Sequence, residues 1–299
     1  MPLQDELKYS EIDIQPITNS ILKLSVQLDV LRLDKIHPVV SGNKWFKLKY
    51  YLQQAADNEY NCIATFGGAF SNHILAAAYA CNRQGIKCTG FIRGERPQYY
   101  SDTLLEAQAL NMQLEFVSRT AFADKQSVVQ ANPGMYFIPE GGYGKTGARG
   151  AAEIMQLVRG LSSYNYIVCA TGTGTMLAGI ANAALPNQQC IGISVLKNDL
   201  SRKNETLALV EEQAAGLIRI MHDYHFGGYA KYTPELIEFM NAQWQEHNLP
   251  LDFVYTAKAL YGVYDMAAKN YFPSQSKILF VHSGGLQGNR SFKKGTLLF

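Results

Sequence analysis

A two-domain α/β fold, each domain a mostly parallel twisted sheet flanked by helices, is what this sequence predicts. Three observations carry it. Short β-branched runs alternate with longer runs of helical period, as parallel strands joined by crossover helices require. Glycine-rich corners stand where those strands end. The 299 residues, 47% hydrophobic and 17% charged, suffice for one large or two medium domains with substantial cores.

Taken in order, residues 21–33 follow a short polar start and alternate apolar and polar side chains, like a half-exposed strand. Residues 41–48, Ser-Gly-Asn-Lys-Trp-Phe-Lys-Leu, then open a helix whose stripe is Trp45, Leu48 and Leu52. Strands are predicted at 62–66, 87–92, 113–117 and 135–139, with helices at 71–83, 102–111 and about 121–131 between them. The glycine-rich stretch 141–150 reads as a hinge, because Gly141, Gly142, Gly144, Gly147 and Gly150 loosen the backbone. A second series follows: strands at 166–170, 190–195, 217–222, 252–255 and 277–282, and helices at 175–185, 204–214, 234–247 and 257–271.

The bulk numbers exclude several classes. A net charge of +2 leaves no electrostatic footprint for nucleic acid. No stretch approaches the about 20 apolar residues of a membrane span, and the first residues are acidic, so the expected address is the cytoplasm. Cys62, Cys81, Cys88, Cys169 and Cys190 are odd in number and lack metal-ligand spacing, which argues against a disulfide framework and a metal site.

Lys44 stands in the first turn of its helix, where the backbone dipole disfavours a cation and helps keep an amine unprotonated. An ordinary lysine, titrating near ~10.4, is a poor nucleophile at neutral pH unless its site lowers that value. The plain alternative is an exposed lysine near a cap. Three corners compete for further roles. In Phe66-Gly-Gly-Ala-Phe-Ser-Asn-His73, Ser71 reads either as a helix N-cap or as a reactive hydroxyl beside Asn72. In Cys169-Ala-Thr-Gly-Thr-Gly-Thr-Met, the amides of a helix mouth and the hydroxyls of Thr171, Thr173 and Thr175 make a ready anion site. Its third glycine, Gly179, is out of the dinucleotide register, and no acidic residue ends the next strand, so a cofactor with one phosphate fits better than NAD or ATP. In Asp252-Phe-Val-Tyr-Thr-Ala-Lys258, Tyr255 and Thr256 present a phenol and a hydroxyl, or else a buried tyrosine and a cap.

Together, Ser-Gly-Asn-Lys44-x-x-Lys47-Leu, Gly-Gly-x-x-Ser71-Asn72, Thr-Gly-Thr-Gly-Thr and Asp-x-Val-Tyr255-Thr256-x-Lys258 resemble the pyridoxal-phosphate enzymes of the tryptophan-synthase-β fold type. Within that type they look like the 1-aminocyclopropane-1-carboxylate (ACC) deaminase / D-cysteine desulfhydrase family. The resemblance implies that Lys44 is the Schiff-base lysine of pyridoxal 5'-phosphate and that Asn72 bonds the cofactor's phenolic oxygen. It implies that Ser71 and Tyr255, and more loosely Tyr229, stand beside a small amino-acid substrate. Gly172, Thr173, Gly174 and Thr175, with Thr171 and the second charge of Lys47, would hold the phosphate.

It further implies a homodimer, a large domain of 1-50 and 148-299, and a small domain of 51-147 inserted in it. Thr256 stands where ACC deaminases resemble one another in carrying glutamate. A hydroxyl there suits an unprotonated ring and a weaker electron sink, so β-elimination from D-cysteine is expected ahead of cyclopropane opening. Phe46, Lys49 and the loop 34–41 depart from the family's usual residues and bear on the substrate rather than the cofactor.

Overall fold

Two sheets organise the protein in a computed structural model that describes residues 3–18, 26–197, 199 and 201–299. Strands β1 (Ile14–Ile17), β2 (Val26–Arg32), β7 (Tyr166–Thr171), β8 (Gln189–Ser194), β9 (Ile218–Met221) and β10 (Ser276–His282) form a six-stranded sheet in the order β1-β2-β10-β7-β8-β9. Every pairing in it is parallel except β1 with β2. Strands β3 (Cys62–Gly67), β4 (Lys87–Arg93), β5 (Met112–Val117) and β6 (Tyr136–Ile138) form an all-parallel sheet in the order β5-β4-β3-β6.

The period-2 alternation of the central strands explains the layering. Val168, Ala170, Ile278 and Phe280 face the helices Pro234–His247 and Thr256–Ala268 in one core. Ile167, Cys169, Leu279 and Val281 face the opposite core, with Leu48 of helix Asn43–Asp57, Ala151 of helix Lys145–Ala152 and Leu177 of helix Thr175–Ala183. Four cysteines are buried and Cys62 is half-buried, all as free thiols. No helix among the described residues is long and apolar enough to cross a membrane.

Several sequence expectations are corrected. The strand expected at 21–33 is β2 from Val26, while its first residues, 21–25, lie outside the described residues; β1 was not foreseen. The strand expected at 252–255 is a turn, because the Asp252 carboxylate accepts the amides of Val254, Tyr255 and Thr256 at 3.0, 2.9 and 2.8 Å and so withdraws them from any ladder. The helix expected at 121–131 is two, Arg119–Ala123 and Lys125–Gln130, broken where Asp124 caps the second through Ser127 N. The helix expected at 204–214 ends early, as Arg202–Leu207 followed by a 3-10 segment, Glu212–Leu217.

The expected glycine hinge is also different in kind. Gly147 and Gly150 lie inside helix Lys145–Ala152, where a Cβ would overlap Gly142 O and Phe46 O respectively. Gly150 lets helix 145–152 press onto helix 43–57, and Gly147 lets it press onto the turn at Gly142, rather than loosening the chain.

Candidate active site

Gly42 starts the helix that carries Lys44. Its φ of 61° and the place where a Cβ would overlap Ser283 O admit only glycine. Asn43 then donates its amide to Ser283 O at 3.1 Å and its Nδ2 to Met176 Sδ at 3.2 Å, fixing the helix start between the loop after β10 and helix Thr175–Ala183. Lys44 is half-buried and donates from Nζ to Asn43 Oδ1 at 2.6 Å. Burial pulls its amine down to about 8, with the Asp252 carboxylate acting in the opposite direction. Lys47, one turn on, is 5% exposed and donates to Gly141 O at 3.0 Å and Thr173 Oγ1 at 3.4 Å. Burial, with the nearby charge of Lys44, brings its amine down to about 7.

The bend that follows β7 is therefore next to the lysine helix. Thr173 Oγ1 lies 3.0 Å from Thr175 Oγ1. Gly174, at φ 78°, turns the chain into helix Thr175–Ala183 where a Cβ would overlap Thr206 Oγ1. Among the described residues the amides of Gly172, Thr173 and Gly174 donate to no backbone carbonyl, and the buried Thr171 Oγ1 has no partner. Such uncommitted donors beside a buried ammonium suit an anion.

Across the crevice, β3 ends at Gly67 and the chain enters helix Asn72–Arg83. Ser71 is its N-cap, accepting Ile74 N at 3.4 Å, which leaves the hydroxyl proton free. Asn72 Nδ2 donates to Gly285 O at 3.0 Å, while Asn72 Oδ1 is buried with no partner. His73 is also buried; its Nε2 lies 2.8 Å from Thr65 Oγ1, its Nδ1 has no partner, and burial with the charges of Lys44 and Lys47 lowers it to about 3.

Tyr255 is half-buried against Gly172, where a Cβ would come 3.1 Å from Tyr255 Cε1. Desolvation raises its phenol well above the ordinary value. Tyr229 packs edge-on to it with ring centroids 6.2 Å apart, is 45% exposed, and stands at the rim. Thr256 is fully buried: its Oγ1 accepts Asp252 N at 2.8 Å and donates its one proton to Asp252 Oδ1 at 2.9 Å.

A chain of contacts ties most of the sequence-singled residues together. Lys47 meets Thr173, Gly172 meets Tyr255, Tyr255 meets Tyr229, and the 283–285 loop joins Asn43 to Asn72. A nucleophilic amine, a buried anion corner and an orphaned amide oxygen fit pyridoxal phosphate, which brings an aldehyde, a phosphate and a ring with polar edges. Two of the departures point elsewhere: Phe46 is in the core and Lys49 pairs with Glu153. Asp252 and Lys258, both fully buried, were not read as functional from sequence. The signal was there for Asp252, an Asp four residues before the Thr that opens a helix.

Comparison with known proteins shows the family. Residues 20–284 match the family model described as "Pyridoxal-phosphate dependent enzyme". A Thermotoga maritima relative named "Putative 1-aminocyclopropane-1-carboxylate deaminase" is 31% identical over 288 residues, covering 89% of this chain and 91% of its own. A Salmonella typhi relative named "D-cysteine desulfhydrase" is 27% identical over 281 residues, covering 85% of this chain and 86% of its own. The crystal structure of an ACC deaminase homologue superposes with a TM-score of 0.80 at 25% identity, over 93% of this chain and 90% of that one.

Proposed function

The chain belongs to the pyridoxal-phosphate dependent enzyme family, and from that premise we propose that it eliminates the β-substituent of a small amino acid. The substrate we assign is D-cysteine, with pyruvate, ammonia and sulfide as products. In this reading Lys44 holds the cofactor's aldehyde carbon, and Asn72 binds the phenolic oxygen. Thr171, Gly172, Thr173, Gly174 and Thr175 hold the phosphate together with Lys47. The chemistry the bound cofactor supplies is delocalisation of the electron pair left on the α-carbon.

Freed by the substrate's amino group, the Lys44 amine is the base that takes the α-proton. Its value of about 8 suits that task. About a tenth of such amines are neutral at pH 7, against about four in ten thousand for an ordinary lysine. Ser71 keeps a free hydroxyl proton for the leaving group or carboxylate, and Tyr255 with Tyr229 closes the opposite side. The two sheets support a large unit of 1-50 and 148-299 and a small unit of 51-147. The reading takes in a homodimer, as the family resemblance implies, and a cytoplasmic address, as expected from the sequence.

The observation that carries the substrate assignment is Thr256, a hydroxyl where a carboxylate would strengthen the electron sink. One detail favours a second reading. The Thr256 proton points to Asp252, so its oxygen is left as an acceptor, which suits a protonated ring nitrogen and the stronger sink that cyclopropane opening needs. A substrate panel separates the two. Sulfide and pyruvate from D-cysteine, with no 2-oxobutanoate from ACC, is the expected result; turnover of ACC alone gives the site to the second reading.

A further inference from the structure

Lys258 is fully buried, yet it lies on helix Thr256–Ala268 one turn beyond Tyr255. Its Nζ donates to two carbonyls of one turn, His225 O at 2.9 Å and Gly228 O at 2.7 Å. Those carbonyls are the ones the turn itself uses: Gly228 N donates to His225 O at 2.9 Å and Lys231 N to Gly228 O at 3.2 Å. The ammonium is thus enclosed by the loop that carries Tyr229.

That loop needs an anchor. Phe226 and Ala230 have φ values of 50° and 53°, and Gly227 and Gly228 have 91° and 116°, so four of five consecutive residues are left-handed. Two of these are not glycine, and a side chain held in that conformation is strained. Tyr229 sits among them, 45% exposed, its ring 6.2 Å from that of Tyr255. Asp252 organises the other half of the pair, since its carboxylate holds the turn that presents Tyr255. Burial lowers the Lys258 amine to about 8, and the Asp252 carboxylate opposes that shift.

We propose that Lys258 is a positioning residue: its amino group clamps the strained Tyr229 loop onto the crevice and so sets where Tyr229 meets the substrate opposite Tyr255. The proposal rests on the reading above only in giving Tyr229 a substrate to meet. A buried cation with two carbonyl partners is costly to bury and costly to remove, because truncation strands both oxygens.

Hydrogen exchange of the holoenzyme tests the clamp without any substrate. Lys258→Met is expected to speed exchange in residues 225–231 at least tenfold while the strands of both sheets stay protected. In D-cysteine turnover it is expected to raise KM about tenfold with kcat changed less than threefold. Combining it with Tyr229→Ala adds no further loss. Unchanged exchange in that loop, or losses that multiply in the double variant, overturns the proposal. If Lys258→Met does not fold, Lys258→Gln, which keeps one donor, is read the same way. Tyr229→Ala alone turning over at the parent rate removes Tyr229 from the reaction, a failure distinct from unchanged exchange.

Discussion

At the end of β7 the chain turns into its helix in a crowded space: Gly174 backs onto Thr206, Gly172 onto Tyr255, and Lys47 reaches in to Thr173. At the end of β3, Gly67 is packed against Ile74 and Ser71, but the chain beyond it turns in the open. Gly68 has no atom within 4 Å of where a Cβ would stand, Phe70 is 59% exposed, and Asn72 keeps a buried oxygen without a partner. Both corners are strand, glycine and helix mouth, and a sequence pattern treats them alike. Packing does not. A corner held on every side presents its donors in one geometry, which suits a group that stays bound; a corner with room beside it suits a group that changes each turnover.

The sharpest way to break this contrast is to put the same methyl group on both. Gly174→Ala adds left-handed strain and an overlap with Thr206, and is expected to weaken cofactor binding more than about 100-fold, measured by titrating the cofactor-free protein. Gly68→Ala has open space and is expected to stay within about 0.5 kcal/mol of the parent in urea unfolding. An equal loss of cofactor affinity at the two positions, titrated in the same way, would end the comparison.

A smaller effect divides the corners by task. Ser71→Ala removes a hydroxyl from the open corner and is expected to lower kcat about 10- to 100-fold while cofactor absorbance is retained. Part of any stability loss is the helix cap, about 1 kcal/mol, so Ser71→Asp, a good cap without the hydroxyl proton, separates the roles. Turnover restored by Asp would make Ser71 a cap alone.

A last test is in pH. Both corners hold groups whose folded values lie below their unfolded ones, so the unfolded chain binds more protons and stability rises with pH through each window. For Lys47 the window runs from about 7 up to the ordinary lysine value of 10.5. For His73 it runs from about 3 up to 6.5. The urea midpoint of cofactor-free protein is therefore expected to fall in two stages as pH is lowered. Lys47→Met should shrink the alkaline stage, to which Lys44 and Lys258 also contribute, and should narrow the acid stage because the Lys47 charge helps hold His73 down; an unchanged alkaline stage would show that the Lys47 amine is not held low.

Much of the fold was legible in the sequence, because periodicity is local. The helix expected at 234–247 is the helix Pro234–His247, where a threonine cap and a first-turn proline leave little choice. The turn at Asp252 was misread as a strand because Phe253 and Val254 are good strand formers, and only the carboxylate's hold on three amides overrides them. The glycines at 147 and 150 were misread as loosening for a related reason. A missing Cβ signals either freedom or close approach, and Phe46, which decides the matter at 150, lies far away in the chain. The candidate site was legible as residue types at strand ends and helix mouths. Part of the support beneath it, Lys258, was hidden because a buried charge and an exposed one look the same in sequence.

By itself, the sequence determined the alternation of strands and helices, the glycine corners at strand ends and the place of Lys44 in the first turn of a helix. These depend on side chains a few residues apart. Tertiary structure alone decided that Lys47 meets Thr173, 126 residues further on, that the Lys44 amine falls to about 8, and that Lys258 reaches the carbonyls of His225 and Gly228. Desolvation and hydrogen-bond direction are sums over whatever the fold brings close, and no local pattern contains that sum.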